Sequence, residues 1–216
     1  ATFLSLIPGM EKISNSILAS AGILAMAVGL ASQEALSNIV GGLFIIFTRP
    51  FKVGDFIKVD DEVVGTVIEI TLRHTILRNV ENRMILIPNS KINSATIINS
   101  SYGDSSTCAF IDIGVSYDTN LDQAIEVMRE EIMKHKLLID HRTGEEKKAG
   151  VPEVVIKVIN LGDSAITLRA WAWASTATDA TIMKYDLFKS IKERFDKEKI
   201  EIPYPYFNQI VKNEGL

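Results

Sequence analysis

Hydrophobic and polar positions divide the chain into an uncharged N-terminal part and a longer remainder in which charged residues recur. No charged residue lies between Lys12 and Glu34, and a second uncharged run follows from Ala35 to Thr48. A helix rises about 1.5 Å per residue, so about 20 residues span the roughly 30 Å hydrocarbon core of a bilayer. The pattern predicts a membrane helix; the competing interpretation is a buried core helix of a soluble protein.

The first uncharged run is also crowded with small residues, among them Gly22, Ala25 and Gly29. A helix that faces only lipid gains nothing from small side chains. On a helix that meets other helices, they let the backbones approach closely. We therefore expect this helix to pack against copies of itself through these three positions.

Larger apolar residues form one stripe on the same run. Ile23, Met26 and Leu30 recur at spacings of three and four, which places them on one helical face. If several copies surround an axis with their small residues in contact, Met26 and Leu30 point inward as two apolar rings. A narrow apolar ring can stop ions by dewetting, so these two residues are the candidate pore gate.

The polar joint Gln33-Glu34 separates the two uncharged runs and predicts a kinked helix over residues 13–50. One limb would span the membrane and the other would lie along its surface. Gln33 and Glu34, together with Gly41 and Gly42 in the middle of the second run, are the candidate kink or hinge residues.

The flanking residues predict orientation and neighbours in the chain. Basic residues are more frequent after the second run, where Arg49 and Lys52 lie, than before the first, and this bias places the C-terminal part in the cytoplasm. Within residues 1–12, the mostly apolar stretch over residues 1–7 runs into Pro8-Gly9. We expect them to be the end of a preceding transmembrane helix and a loop, which makes the protein multi-pass.

Residues 51–100 contain short β-branched runs separated by turn residues, a pattern typical of strands. Four or five strands in this length predict a small antiparallel barrel or sandwich, here a β-barrel-like domain. Gly54 and Gly65 are expected to mark a turn and a bulge.

Residues 101–206 have the order βαββα, which resembles the ferredoxin-like class of α/β domains. The predicted elements are a strand over 107–117, a helix over 121–136, strands over 154–160 and 165–174, and a helix over 179–199, with a loop over 141–150. The apolar stripes of the two helices predict their buried faces: Ala124, Val127, Met128 and Ile132, then Met183, Leu187, Ile191 and Phe195. Residues 207–216 are expected to hold a short C-terminal barrel strand and a tail.

Composition argues against several other functions. The net charge is −4, and no basic patch indicates a nucleic-acid partner. The three histidines and the single Cys108 show no metal-ligand spacing, and no phosphate-binding loop or nucleophile elbow occurs. We therefore predict no metal, no cofactor and no enzymatic activity. Trp171 and Trp173 share one strand face and are expected to pack in the core or at an interface.

Three segments carry a family likeness: AVGLASQEALSNIVGGLFIIFTRPFKVGDFI, GTVIEI and ILIPNSKI. They resemble the small-conductance mechanosensitive channel (MscS) family. The resemblance implies a homoheptamer in the inner or plasma membrane, with a pore-lining kinked helix, a cytoplasmic vestibule and opening by membrane tension on hypo-osmotic shock. It also places Met26 and Leu30 on the two gate positions, which are usually leucines, and implies a C-terminal strand that closes a small barrel.

One departure concerns the kink, where several members of the family have glycine and this chain has Glu34. Glutamate lacks the backbone freedom of glycine. The bend would then be fixed by side-chain hydrogen bonds or interfacial charge, with Gly41-Gly42 as the flexible point.

The sequence thus predicts a mechanosensitive channel that conducts ions and small osmolytes, with membrane lipids and copies of itself as partners. The alternative is a membrane-anchored oligomeric interaction module without conductance. An enzyme or solute transporter would need a catalytic cluster or ionisable residues at membrane depth, and the chain shows neither.

Overall fold

A computed structural model describes residues 11–206 and divides the chain into two compact units, with the boundary after Asn99. Residues 11 and 12 already belong to the first helix, so the expected end of a preceding helix in residues 1–12 otherwise lies outside the described residues. The expected C-terminal strand in residues 207–216 lies wholly outside them. The predicted α+β fold class is confirmed: a long apolar N-terminal helix is followed by two antiparallel sheets with helices.

Helix α1 (Glu11–Thr48) is a single α-helix of 38 residues. At 1.5 Å per residue it is about 57 Å long, nearly twice the thickness of a bilayer hydrocarbon core. Within the described part of the chain, only its segment Asn15–Thr48 is long and apolar enough to cross a membrane. The backbone is α-helical at all four candidate kink or hinge residues, Gln33, Glu34, Gly41 and Gly42.

The rest of the first unit is a five-stranded antiparallel sheet with one short helix. Its elements are β1 (Phe56–Val59), β2 (Val63–Ile70), β3 (His74–Arg78), β4 (Met84–Pro88), α2 (Asn89–Ser94) and β5 (Ile97–Asn99). The strand order β4-β3-β2-β1-β5 leaves β4 and β5 as the two edges of the described sheet. The strands therefore form an open sheet, where the sequence predicts a barrel or sandwich.

The core of this sheet is built from strand residues and from the end of α1. Ile57, Val67 and Leu77 are fully buried, and Ile45 of α1 and Phe51 pack into the same cluster. Because α1 contributes to the core, its last turns fold together with the sheet and α2. We call this folded part, residues 38–99, the β unit.

Two positions of this unit require glycine, each for a different structural reason. Gly54 has a φ of +97° in the turn before β1, a conformation that favours glycine. Gly65 lies where a Cβ would be 2.7 Å from the carbonyl oxygen of Arg78 on β3. The bulge expected at Gly65 lies instead between Val67 and Glu69, where the register with β3 shifts.

The second unit has a three-stranded antiparallel sheet and three helices. Its elements are β6 (Thr107–Val115), α3 (Leu121–Met133), α4 (Gly144–Lys148), β7 (Val155–Leu161), β8 (Ile166–Ala174) and α5 (Ala177–Lys197). The sheet order is β6-β8-β7. Strand β8 alternates between buried and half-buried residues along its whole length, as expected for a strand with one face on the core.

Helices α3 and α5 cover one face of this sheet with the residues that the sequence predicts. All eight members of the two predicted stripes are buried. Asn120 caps α3 through its side-chain oxygen, and Thr176 caps α5 in the same way. The predicted loop over 141–150 is wrong in part, because Thr143 and Glu146 form a capping box that starts α4.

Candidate functional site

The first part of α1 presents a long exposed surface. Every described residue from Ile13 to Ser37 is exposed. The side chains of Met26 and Leu30, the candidate gate, are 68% and 67% exposed. An exposed apolar surface of this extent marks a site of contact with lipid or with another protein.

The candidate helix-packing positions lie on this exposed part. A Cβ added at Gly22 or Gly29 would meet no heavy atom within 4 Å, and Ala25 is exposed. The chain itself therefore leaves the space beside these three residues open. Their packing against neighbouring copies, and the gate role of Met26 and Leu30, remain predictions.

The last turns of α1 have the opposite surroundings. Asn38, Gly41, Gly42 and Ile45 are buried, and their spacing of three, one and three places them on one helical face. This face packs against α2 and against the turn over residues 71–74, whose last residue begins β3. We call these four residues the anchor face.

Gly41 and Gly42 permit a close approach of the backbones at the anchor face. A Cβ at Gly41 would lie 3.1 Å from the carbonyl carbon and oxygen of Asn89. A Cβ at Gly42 would lie 2.5 Å from Nδ2 of Asn89 and 2.6 Å from the carbonyl oxygen of Leu72. The structure thus gives both glycines a packing reason, while their role as a flexible point stays a prediction.

Asn38 joins α1 to α2. Its Nδ2 donates to the carbonyl oxygen of Glu34 at 3.0 Å, one turn earlier in the helix. Its Oδ1 accepts from the backbone N–H of Ser90 at 3.0 Å and from the Ser90 hydroxyl at 2.9 Å. Because Asn38 is only 4% exposed, these bonds are shielded from water and loss of either partner is costly.

Asn89 fixes the other side of the anchor. It is fully buried; its Nδ2 donates to the carbonyl oxygen of Thr71 at 2.8 Å, and its Oδ1 accepts from the hydroxyl of buried Thr75 at 3.0 Å. Sequence reasoning assigned no role to Asn38, Asn89 or Ser90. The signal for them was the LSN string, which places polar residues inside an apolar run, and the IPNS string, which ends one.

The end of α1 is fixed by backbone geometry. Arg49 adopts a φ of +49° and its N–H donates to the carbonyl oxygen of Ile45 at 2.9 Å. Pro50 follows, and a residue before proline is disfavoured in the α conformation. Asn99 then donates from Nδ2 to the carbonyl oxygen of Pro50 at 3.1 Å and to Asp55 at 2.9 Å, which ties this corner to β5.

Polar and aromatic groups of the second unit form structural contacts. The Arg169 guanidinium makes two hydrogen bonds of 2.7 Å with Asp112 across β6 and β8, and these hold the pKa of that carboxyl below its usual range. Trp173 stacks on His141 with ring centres 3.9 Å apart. Burial raises the pKa of the Cys108 thiol to about 11, so it is neutral at physiological pH and a poor nucleophile.

Two family models match the chain. "Mechanosensitive ion channel, beta-domain" matches residues 34–102, and "Mechanosensitive ion channel MscS, C-terminal" matches residues 110–202. The first match begins at Glu34 and therefore includes the anchor face, and the second covers most of the second unit.

Individual relatives agree with the two family-model matches. An MscS family protein of Archaeoglobus fulgidus is 30% identical over 203 residues, which cover 94% of this chain and 67% of that protein. The small-conductance mechanosensitive channel of Edwardsiella ictaluri is 30% identical over 180 residues, or 83% of this chain and 58% of that protein. The chain thus spans about two thirds or less of the length of these relatives.

The fold has a solved counterpart in the crystal structure of Helicobacter pylori MscS in its closed state. The TM-score is 0.80 at 24% sequence identity, over 95% of this chain and 76% of that one. This likeness shows the fold, and the sequence matches show the lineage. The chain belongs to the MscS family of mechanosensitive ion channels.

Proposed function

We propose that this chain is a subunit of a channel that opens under membrane tension and releases ions and small osmolytes on hypo-osmotic shock. One observation carries the proposal: an apolar segment over residues 13–37, exposed at every described position, continues as one helix into an anchor face buried in a folded β unit. The exposed segment suits a pore wall in a membrane. The anchor supplies a fixed point against which that wall can move.

Assembly of the pore would use the exposed segment. Copies of the chain, seven as the family resemblance implies, would surround an axis with Gly22, Ala25 and Gly29 at the helix contacts. Met26 and Leu30 would then form two apolar rings about 6 Å apart along the axis. These rings would hold the pore dry until the helices tilt and the rings widen.

The anchor restricts where the helix can bend. Residues from Asn38 onward are held by Ser90 and by close contact at Gly42, so a tilt of the pore wall is absorbed most easily before Asn38. Gln33 and Glu34 lie there and are exposed. Bending at Gly41-Gly42 would require the anchor contacts to open.

The membrane setting follows from the family, which is membrane-embedded, and from the apolar segment Asn15–Thr48. We propose an inner or plasma membrane location with further transmembrane helices, and with the sheet of the first unit and the whole second unit on the cytoplasmic side. Membrane lipids and permeating ions would be its partners besides copies of itself.

Patch recording on the full chain reconstituted in liposomes under graded suction tests the function. Stepwise currents that appear above a tension threshold are the expected result, and protein-free liposomes are the control. An oligomer that gives no current up to membrane rupture would contradict the proposal and favour the membrane-anchored interaction module.

A further inference from the structure

Two adjoining cavities lie beside the predicted kink, between α1 and the turn over residues 71–74. One has a volume of about 320 Å³ and the other of about 520 Å³. Glu34, Asn38 and Arg73 line both. We call them the joint cavities, because they separate the kink residues of α1 from the β unit.

The joint cavities bring two opposite charges to one place. Glu34 approaches them from α1, and Arg73 approaches from the β unit. The larger cavity also has apolar walls, formed by Ala31, Ala35, Ile39 and Leu72. Both charged residues are exposed, so the attraction between them is that of a surface pair, of modest strength.

Three hydrogen bonds fix the backbone around Arg73. Thr71 Oγ1 accepts from the backbone N–H groups of Arg73 and His74 at 3.3 and 3.0 Å. The carbonyl oxygen of Arg73 accepts from the N–H of Asn89 at 3.0 Å. Arg73 therefore projects from a rigid turn.

The backbone of Glu34 is tied to the same framework, because its carbonyl oxygen accepts from Asn38 and Asn38 binds Ser90. A change in the distance between the two charges therefore requires side-chain rotation or a movement of α1 near Glu34. No ion pair within 4.0 Å among residues 11–206 includes Glu34 or Arg73.

We propose that Glu34 and Arg73 form a charge latch at the joint. When the kink moves toward the β unit, the joint cavities narrow and the Glu34 carboxylate meets the Arg73 guanidinium in a charge-assisted pair. The pair exists in one conformation of the helix and not in the other, so it shifts the balance between them. The inference rests on the proposed function, in which those conformations differ in conductance.

The test is a double-mutant cycle on the reconstituted full chain, with Glu34→Gln, Arg73→Gln and the double variant. Each single change should alter the mean open time about threefold in the same direction, as expected for a partly exposed ion pair. The double variant should differ little from either single one, because the interaction is lost only once. The charge-reversed variant Glu34→Arg with Arg73→Glu should return the open time toward that of the parent.

Arg83→Gln is the matched control. Its guanidinium is exposed and pairs with Glu81 at 3.3 Å on the turn between β3 and β4. It should gate like the parent. Additive effects of Glu34→Gln and Arg73→Gln, or a charge-reversed variant worse than both, would overturn the latch.

A second readout separates the latch from the proposed function. If the parent shows no tension-activated current, the proposed function has failed, and thermal unfolding of the same four variants in mild detergent decides whether the pair exists. Coupling of the two substitutions in the unfolding midpoint would support the pair. Independent effects on the midpoint would overturn it.

Discussion

The two parts of helix α1 are built from similar residues and have opposite surroundings. Residues 13–37 are exposed wherever they are described, whereas the anchor face of Asn38, Gly41, Gly42 and Ile45 is buried. A Cβ at Gly22 would meet nothing within 4 Å, but one at Gly42 would lie 2.5 Å from a side chain and 2.6 Å from a backbone oxygen. In the anchor face the small residues lie at a contact that the structure shows, and in the exposed part we predict a contact with neighbouring copies.

The anchor face meets residues of its own chain, so its contacts form as the β unit folds. We expect the exposed part to meet lipid or another copy, with contacts that form on assembly in a membrane. Substitutions in the two parts should therefore have different consequences. Changes in the anchor should lower the stability of the folded chain, and changes in the exposed part should alter gating without doing so.

The largest effect is expected for Gly42→Ala. The added methyl group cannot fit beside the Leu72 carbonyl unless α1 moves away from the turn over residues 71–74, so we expect a loss of about 3 kcal/mol in unfolding free energy. Gly22→Ala is the matched control, since its methyl group meets open space within the chain. Thermal and denaturant unfolding of the purified protein in mild detergent measures both.

Equal unfolding midpoints for Gly42→Ala and Gly22→Ala would contradict the comparison between the two parts of α1. They would show that the contact between α1 and the Leu72 carbonyl adjusts at little cost.

Asn38→Ala should have the next largest effect on stability. It leaves the Ser90 backbone N–H and hydroxyl without their buried acceptor, a loss of about 2 kcal/mol. It also removes the hydrogen bond from Asn38 to the carbonyl oxygen of Glu34. We therefore expect altered open-state kinetics together with the lower unfolding midpoint. Ser94→Ala is the control, because the Ser94 hydroxyl is exposed and bonds only to carbonyl oxygens of its own helix, α2.

An Asn38→Ala variant with the midpoint of the parent would contradict the view that this side chain fixes α1 to α2. A lowered midpoint with unchanged kinetics would instead separate the stability of the anchor from gating.

The sequence predicted the second unit well because its signals are local. The stripes of α3 and α5 repeat every three or four residues, and each stripe residue is buried on the core side. Capping residues such as Asn120 lie next to the helices that they start. Short elements were harder to predict: the five-residue helix α4 has no apolar stripe, and only its capping box indicates it.

The anchor was missed because its contacts join distant parts of the chain. Asn38 bonds to Ser90 across 52 positions, and Asn89 bonds to Thr71 across 18. No local periodicity marks such a pair. Gly41-Gly42 was interpreted as a flexible point because a glycine pair in a helix has the same sequence whether it bends or packs closely.

Leu30→Ser tests the exposed part of α1. A hydroxyl in the ring offers water a hydrogen-bonding wall, so the pore should wet more easily and open at lower tension. Met26→Ser should act in the same direction but more weakly, and cells that express either variant should grow more slowly as ions leak. Because both side chains are exposed in the chain, unfolding of the β unit should not change.

Leu24→Ser makes the matched control for the gate. Leu24 is 66% exposed, almost the same as Leu30, but six residues earlier on the helix it points to a different face. The tension threshold of Leu24→Ser should stay near that of the parent. A Leu30→Ser threshold equal to or above the parent value, in single-channel recording, would remove Leu30 from the gate.

The smallest effect on the folded chain is expected for Gly29→Val and Ala25→Val. Nothing within 4 Å would oppose a Cβ at Gly29, and valine costs a helix less than glycine does, so the unfolding midpoint of Gly29→Val should hold or rise slightly. The midpoint of Ala25→Val should hold or fall slightly, because alanine is the better helix former. In the assembled pore the larger side chains would keep neighbouring helices apart, and the tension threshold should change.

Val28→Ile is the control. It enlarges a position already occupied by a large exposed side chain and should gate like the parent. If Gly29→Val and Ala25→Val gate at the parent tension as well, these small residues do not lie at helix contacts, and the exposed part of α1 meets its neighbours through another face.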